Sequence, residues 1–112
     1  MLKSPANFLK HILSEVDYIL ETSSSLPEER FMHDPTLQRA FSRSLEIIGE
    51  AAKNLPDDFR KKYSQIDWKP IAGMRDKIIH HYFGIDYEIV WDIAKNELPS
   101  LKIKIEEILK EL

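Results

Sequence analysis

Residues 34–56 read DPTLQRAFSRSLEIIGEAAKNLP, the clearest helical pattern in the chain. Leu37, Phe41, Leu45, Ile48, Ala52 and Leu55 recur at steps of four or three residues, the period of one helical face. Asp34 followed by Pro35 is a start signal, because the carboxylate can accept a first-turn N–H and proline has no N–H to leave unpaired. Pro56 stops the run. The segment is therefore a core-facing amphipathic helix.

The same grammar repeats on both sides. Ser4-Pro5 starts a helix with the apolar stripe Phe8, Ile12, Val16, Ile19/Leu20, ended by the serines at 23–25. Leu26 to His33 reads as a short irregular helical turn, and Asp58 to Tyr63 as a brief helix after Pro56. Asp67 is placed to cap a helix from about Trp68 to Tyr82, with Gly84 as its terminator. Asp86 caps a last helix carrying Leu98, Leu101, Ile105, Ile108 and Leu112, and the spacing predicts that Pro99 kinks it without ending it. No stretch alternates with period two over a strand's length. The expectation is an all-α fold: an up-and-down four-helix bundle with one or two additional short helices, a single domain over residues 1–112.

Composition narrows the functions. With 43% hydrophobic and 31% charged residues the chain can build a core, so it is not a disordered segment. The absence of cysteine excludes disulfides, thiol nucleophiles and cysteine-ligated metals. No apolar run is long enough to span a bilayer. Glu15 and Asp17 fall where an export signal needs its apolar core, so the expected location is the cytoplasm, with no membrane partner. A chain of 112 residues buries only about two-thirds of its unfolded surface, which favours pairing with a second copy.

The net charge of −3 is unevenly spread. Residues 60–81 hold six Lys and Arg against two Asp, a local balance of +4, and His80 and His81 close that segment. Short-range contacts with a phosphate are insulated from distant charges beyond a Debye length of about 8–10 Å. The basic segment includes the chain's most unusual chemistry, GMRDKIIHHYFGID at 73–86. On an unbroken helix Arg75 and His80 would lie about 140° apart, while Asp76 and His80, four apart, would share a face, so that the carboxylate could orient the imidazole. Gathering Arg75 and His80 then requires either a frayed helix end or a dimer axis passing this helix.

Each residue also has a plain structural use. Arg75 and Lys77 can be solvated charges, His81 can answer a helix dipole, and Tyr82 can be a half-buried aromatic. Trp68 and Trp91 are expected in the core; His11 and His33 have no convergent partners. Glu46 and Glu50 share a helix face, but a carboxylate-bridged metal bundle needs paired Glu-x-x-His motifs that this chain lacks. The two glutamates are expected to pair with Arg43 and Lys53, and no metal or cofactor is expected.

Arg75, four residues, His80, one residue and Tyr82 form an Arg-x4-His-x-Tyr string, which resembles the signature of the HEPN superfamily in its HepT-like branch of toxins from toxin–antitoxin modules. FSRSLEIIGEAAKNLP at 41–56 is similar to that family's second core helix, and the run from Trp68 to Trp91 to its signature region. His81 fills the variable slot between His80 and Tyr82, often acidic in these proteins; it leaves the motif intact and adds a second titratable imidazole.

The resemblance implies a metal-independent endoribonuclease toxin of a type VII-like system, a homodimer whose composite cleft combines Arg75 and His80 of both copies as catalytic residues. Asp76 would support His80. Tyr82 would be adenylylated by a cognate minimal nucleotidyltransferase antitoxin. The alternative is a non-catalytic HEPN module that binds RNA or nucleotide, or serves as an adaptor, without cleaving.

Overall fold

The computed structural model describes residues 4–80 and 84–112, the side chain of His80 excepted. The helices in chain order are α1 (Pro5–Ser23), α2 (Glu28–Met32), α3 (Pro35–Lys53), α4 (Asp57–Lys62), α5 (Trp68–Ala72), α6 (Met74–Ile78), α7 (Tyr87–Asn96) and α8 (Leu98–Glu111). A two-residue antiparallel ladder, β1 (Ile79–His80) with β2 (Gly84–Ile85), lies between α6 and α7. The protein is an all-α helical bundle.

The starts form as the cap residues dictate. Ser4 Oγ accepts the Asn7 N–H at 3.3 Å, and Asp34 Oδ1 accepts that of Leu37 at 3.1 Å. Asp86 Oδ1 accepts the N–H groups of Glu88 and Ile89. Asp67 occupies the cap position of α5 but makes no side-chain capping bond. Helix α1 lies at the centre of the long helices, packing against α3, α7 and α8, and α3 also meets α5, α6 and α7. The stripe of α3 is buried at Phe41, Leu45, Ile48 and Ala52. Both tryptophans are in the core, and Trp68 Nε1 donates to the Tyr63 carbonyl at 3.0 Å.

The short α2 turns out to be central. Its Phe31 is fully buried, with ring centroids 5.0 Å from Phe41 and 5.1 Å from Trp91, and an edge-on contact to Tyr87 at 6.5 Å. One aromatic thus joins three helices.

Two expected helices divide. The segment expected to be helical from Trp68 to Tyr82 breaks at Gly73 and ends at Ile78. On an unbroken helix Trp68 and Met74 would project about 120° apart. The break lets both be buried, together with Ile78. Beyond it the Ile78 carbonyl accepts the Asp86 N–H at 2.8 Å, a partner across the ladder instead of one turn further along a helix. Gly84 therefore does not terminate a helix. It pairs with His80 in the ladder at φ 79°, a backbone conformation that suits glycine.

The last expected helix also divides, at Glu97. Pro99 cannot donate to a preceding carbonyl and its ring crowds the turn before it, so it sits in the first turn of α8 and does not kink a continuous helix. The long helices are accordingly α1, α3, α7 and α8, and the signature segment lies against them as short pieces.

Candidate functional site

The placement of Arg75 begins with a glycine. Gly49 is buried in the middle of α3, where a Cβ would stand 3.1 Å from the Ile71 carbonyl oxygen and 3.2 Å from Met74 Cβ. Any side chain there would press on the α5–α6 backbone, so Gly49 permits a close approach of this segment to α3. Met74 and Ile78 anchor α6 to the core, and the residues between them, Arg75, Asp76 and Lys77, face outward. Lys77 Nζ is tied to both carboxylate oxygens of Glu97, at 2.9 and 2.8 Å, which fastens α6 to the α7–α8 junction.

Arg75 projects over α3, where its Nε lies 3.7 Å from Glu46 Oε2. The other oxygen of the same carboxylate, Oε1, lies 3.7 Å from Arg43 Nη1. Glu46 is three-quarters buried while the two arginine side chains are 71% and 69% exposed, Arg43 first. One anchored carboxylate therefore stands between two outward guanidinium groups. Both contacts exceed hydrogen-bond reach, so the guanidinium donors are not committed to Glu46. The expected pairing of Glu46 with Arg43 is present, and its second partner, Arg75, comes from a segment distant in sequence.

These residues border a groove of about 660 Å³ along the seam of α1 and α3. Phe8 and His11 form one wall, Arg43, Glu46 and Lys53 the other, and Arg75 stands at its edge. Of these, Phe8 belongs to the apolar stripe of α1, and His11 has no convergent partner in the sequence pattern. A lone glycine within the helical stripe of α3 was the one local signal that another backbone comes close there.

The sequence-predicted site residues fare differently. Arg75 is exposed on α6 beside Glu46. His80 belongs to β1, paired with Gly84, so the helical geometry relating it to Arg75 and Asp76 does not apply. Asp76 is exposed on α6, and because that helix stops at Ile78 it does not share a helical face with His80, contrary to the expectation for an unbroken helix. His81 and Tyr82 lie outside the described residues. Among the described residues no three His, Asp or Glu side chains gather as a metal site. Among them, too, no helix is long and apolar enough to cross a membrane.

Comparison with known proteins adds an independent line. The family model described as Ribonuclease HepT-like matches residues 12–108. The chain is 51% identical over 110 residues to a protein provisionally named an RNase in Caldanaerobacter subterraneus subsp. tengcongensis, covering 98% of both chains. It is 50% identical over 105 residues to another such provisionally named RNase in Methanocaldococcus jannaschii, covering 94% of this chain and 87% of that one. A protein from Thermococcus cleftensis, provisionally named ribonuclease HepT, is 42% identical over 110 residues, covering 98% of this chain and all of its own. No solved structure is a significant match.

Proposed function

The chain belongs to the HepT-like ribonuclease family, and from that premise we propose that it is a metal-independent RNA endonuclease whose catalytic residues are Arg75 and His80. The observation that carries this reading is Arg75 itself: an exposed guanidinium with uncommitted donors, set by a packed α6 at the edge of a polar groove. A forked cation of this kind is suited to the non-bridging oxygens of a phosphodiester, where negative charge grows during in-line attack. His80 acts as general base on the ribose 2′-hydroxyl: its imidazole takes the proton, the 2′-oxygen bonds to phosphorus, and the bond from phosphorus to the 5′-oxygen breaks. A second imidazole, in its protonated form, supplies the proton to the departing 5′-oxygen. The products are a 2′,3′-cyclic phosphate and a 5′-hydroxyl, and DNA is spared for want of the 2′-hydroxyl.

The second imidazole is His80 of another copy, so the functional unit in this proposal is a homodimer with a composite cleft, and the domain extends over residues 1–112. Asp76 remains the candidate supporting carboxylate, acting through its nearness in the chain and not through a shared helical face. As a family toxin, the protein would be held in check in the cytoplasm by a nucleotidyltransferase antitoxin that adenylylates Tyr82. A phosphodiester and nucleoside two residues from His80 would obstruct the cleft and repel the RNA phosphate.

The test is cleavage of RNA in chelator by wild type, Arg75→Ala and His80→Ala. Both variants should lose cleavage and any growth arrest while keeping the helical circular dichroism. Wild-type cleavage by His80→Ala would overturn the mechanism, and a 13 kDa monomer at micromolar concentration by light scattering would overturn the composite cleft. RNA binding without cleavage by the wild type would favour the non-catalytic binding module.

A further inference from the structure

The groove on the α1–α3 seam extends past Arg75, and the reaction just described leaves most of it unused. Its walls carry His11 from α1 and Arg43 and Lys53 from α3, with the carboxylates of Glu46 and Glu50 between the last two. Counting Arg75, the three Arg and Lys side chains outnumber the two Glu, a small local excess of positive charge on a chain whose net charge is −3. Arg43 and Lys53 are ten residues apart on one helix, about 15 Å along its axis. This is a track and not a point site. Arg43 is held near, but not hydrogen-bonded to, the same Glu46 carboxylate that stands beside Arg75. The two guanidinium groups are therefore separated by one carboxylate and two ion-pair contacts, each 3.7 Å long. Phe8, half-buried on the same wall as His11, presents part of an aromatic ring to the groove. A half-exposed ring beside outward guanidinium groups is the combination that receives an unstacked base and its backbone.

We infer that this groove is a subsite for the single-stranded RNA flanking the cleaved bond, with Arg43 contacting the phosphate next to the one held by Arg75. Glu46 serves both arginines as a positioning residue: its carboxylate offsets the mutual repulsion of the two guanidinium groups and keeps them on one side of the groove, and its two long contacts leave their donors free to turn to phosphate. His11 and Lys53 continue the track, and Phe8 offers a face to a base. The inference rests on the ribonuclease reading of Arg75 and deepens it by assigning the strand's path.

The experiment measures binding of a labelled single-stranded RNA of roughly ten nucleotides, within the usual span of single-strand sites. It uses the His80→Ala background, so that no cleavage intervenes, over a series of salt concentrations. Adding Arg43→Gln should weaken binding by roughly three- to tenfold. It should also reduce the slope of log affinity against log salt by about 0.7, the value for one phosphate contact on a single strand. Arg43→Lys should restore the slope, since it keeps the charge. Lys104→Gln removes the same charge from a side chain that lines a separate cavity with Ile66 and Leu101, and should leave the slope as it was. Unchanged affinity and slope in Arg43→Gln would overturn the subsite. So would a shift in its monomer–dimer equilibrium with the salt slope intact, because the groove would then seat a second copy of the chain. Failure of the ribonuclease reading is separable: it appears as full cleavage by Arg75→Ala, whereas a silent Arg43→Gln beside an inactive Arg75→Ala removes the subsite alone.

Discussion

Gly49→Ala offers a sharp test of how the site is built, because two opposing effects at one position can be weighed. Alanine is a better helix former than glycine by about 1 kcal/mol in a helix interior, so on an isolated α3 the change would stabilise. In the folded protein the new methyl group would stand 3.1 Å from the Ile71 carbonyl oxygen and 3.2 Å from Met74 Cβ. Neither neighbour is the flexible end of a side chain, so the α5–α6 segment must move by a few tenths of an ångström. Overpacking of this sort costs about 1–3 kcal/mol. The sum is a destabilisation of about 0–2 kcal/mol. At about 4 °C per kcal/mol, Tm should fall by between nothing and about 8 °C.

The larger effect is expected in catalysis, because the displaced segment carries Arg75. A misplacement of about 1 Å can cost about a hundredfold in rate, so a few tenths should reduce kcat for RNA cleavage by roughly tenfold. Calorimetry and cleavage kinetics on the same preparation measure both quantities. A rise in Tm of about 4 °C, the full helix-propensity gain, with wild-type kcat would refute the close-approach argument.

Phe31→Ala should destabilise by about 3–5 kcal/mol, measured by urea unfolding, since it empties the aromatic junction of α2, α3 and α7. A loss below about 1 kcal/mol would mean that α2 is not part of the cooperative core. Lys102 Nζ lies 2.8 Å from Asp17 Oδ1, and this hydrogen bond and charge raise the lysine pKa above its usual 10.5. Its contribution to stability is therefore complete below the unfolded-state pKa and disappears as pH rises through the higher folded value. Lys102→Met should consequently show a shallower loss of stability above pH 10.5 than the wild type, and identical alkaline profiles would remove the effect. Tyr82→Phe should fold and cleave RNA but escape neutralisation by the nucleotidyltransferase, and the wild type co-expressed with that partner should gain one or more AMP units in intact mass. Additions mapped to other residues, or none while neutralisation persists, would point to simple occlusion by the partner.

Local rules control the part of this structure that can be read along the chain. Ser4, Asp34 and Asp86 mark helix starts because a side-chain oxygen can satisfy first-turn N–H groups without help from elsewhere. The stripe of α3 marks a core face because the helical period depends on neighbours three and four residues away. The Arg-x4-His-x-Tyr string is equally local, which is why the family was readable from it.

Tertiary structure decided what depends on other segments. The apolar pattern from Trp68 onward is compatible with one helix. The need to bury Trp68, Met74 and Ile78 against α3 breaks it at Gly73, and the bond between the Ile78 carbonyl and the Asp86 N–H turns its end into a ladder. The same holds for Glu97, where Pro99 permits either a kink or a new start and the chain takes the new start. Most of all, the meeting of Arg75, Arg43 and Glu46 on the α1–α3 groove joins residues about thirty positions apart in the chain. The helical period relates Arg43 to Glu46, but Arg75 joins them only because Gly49 lets one backbone rest against another.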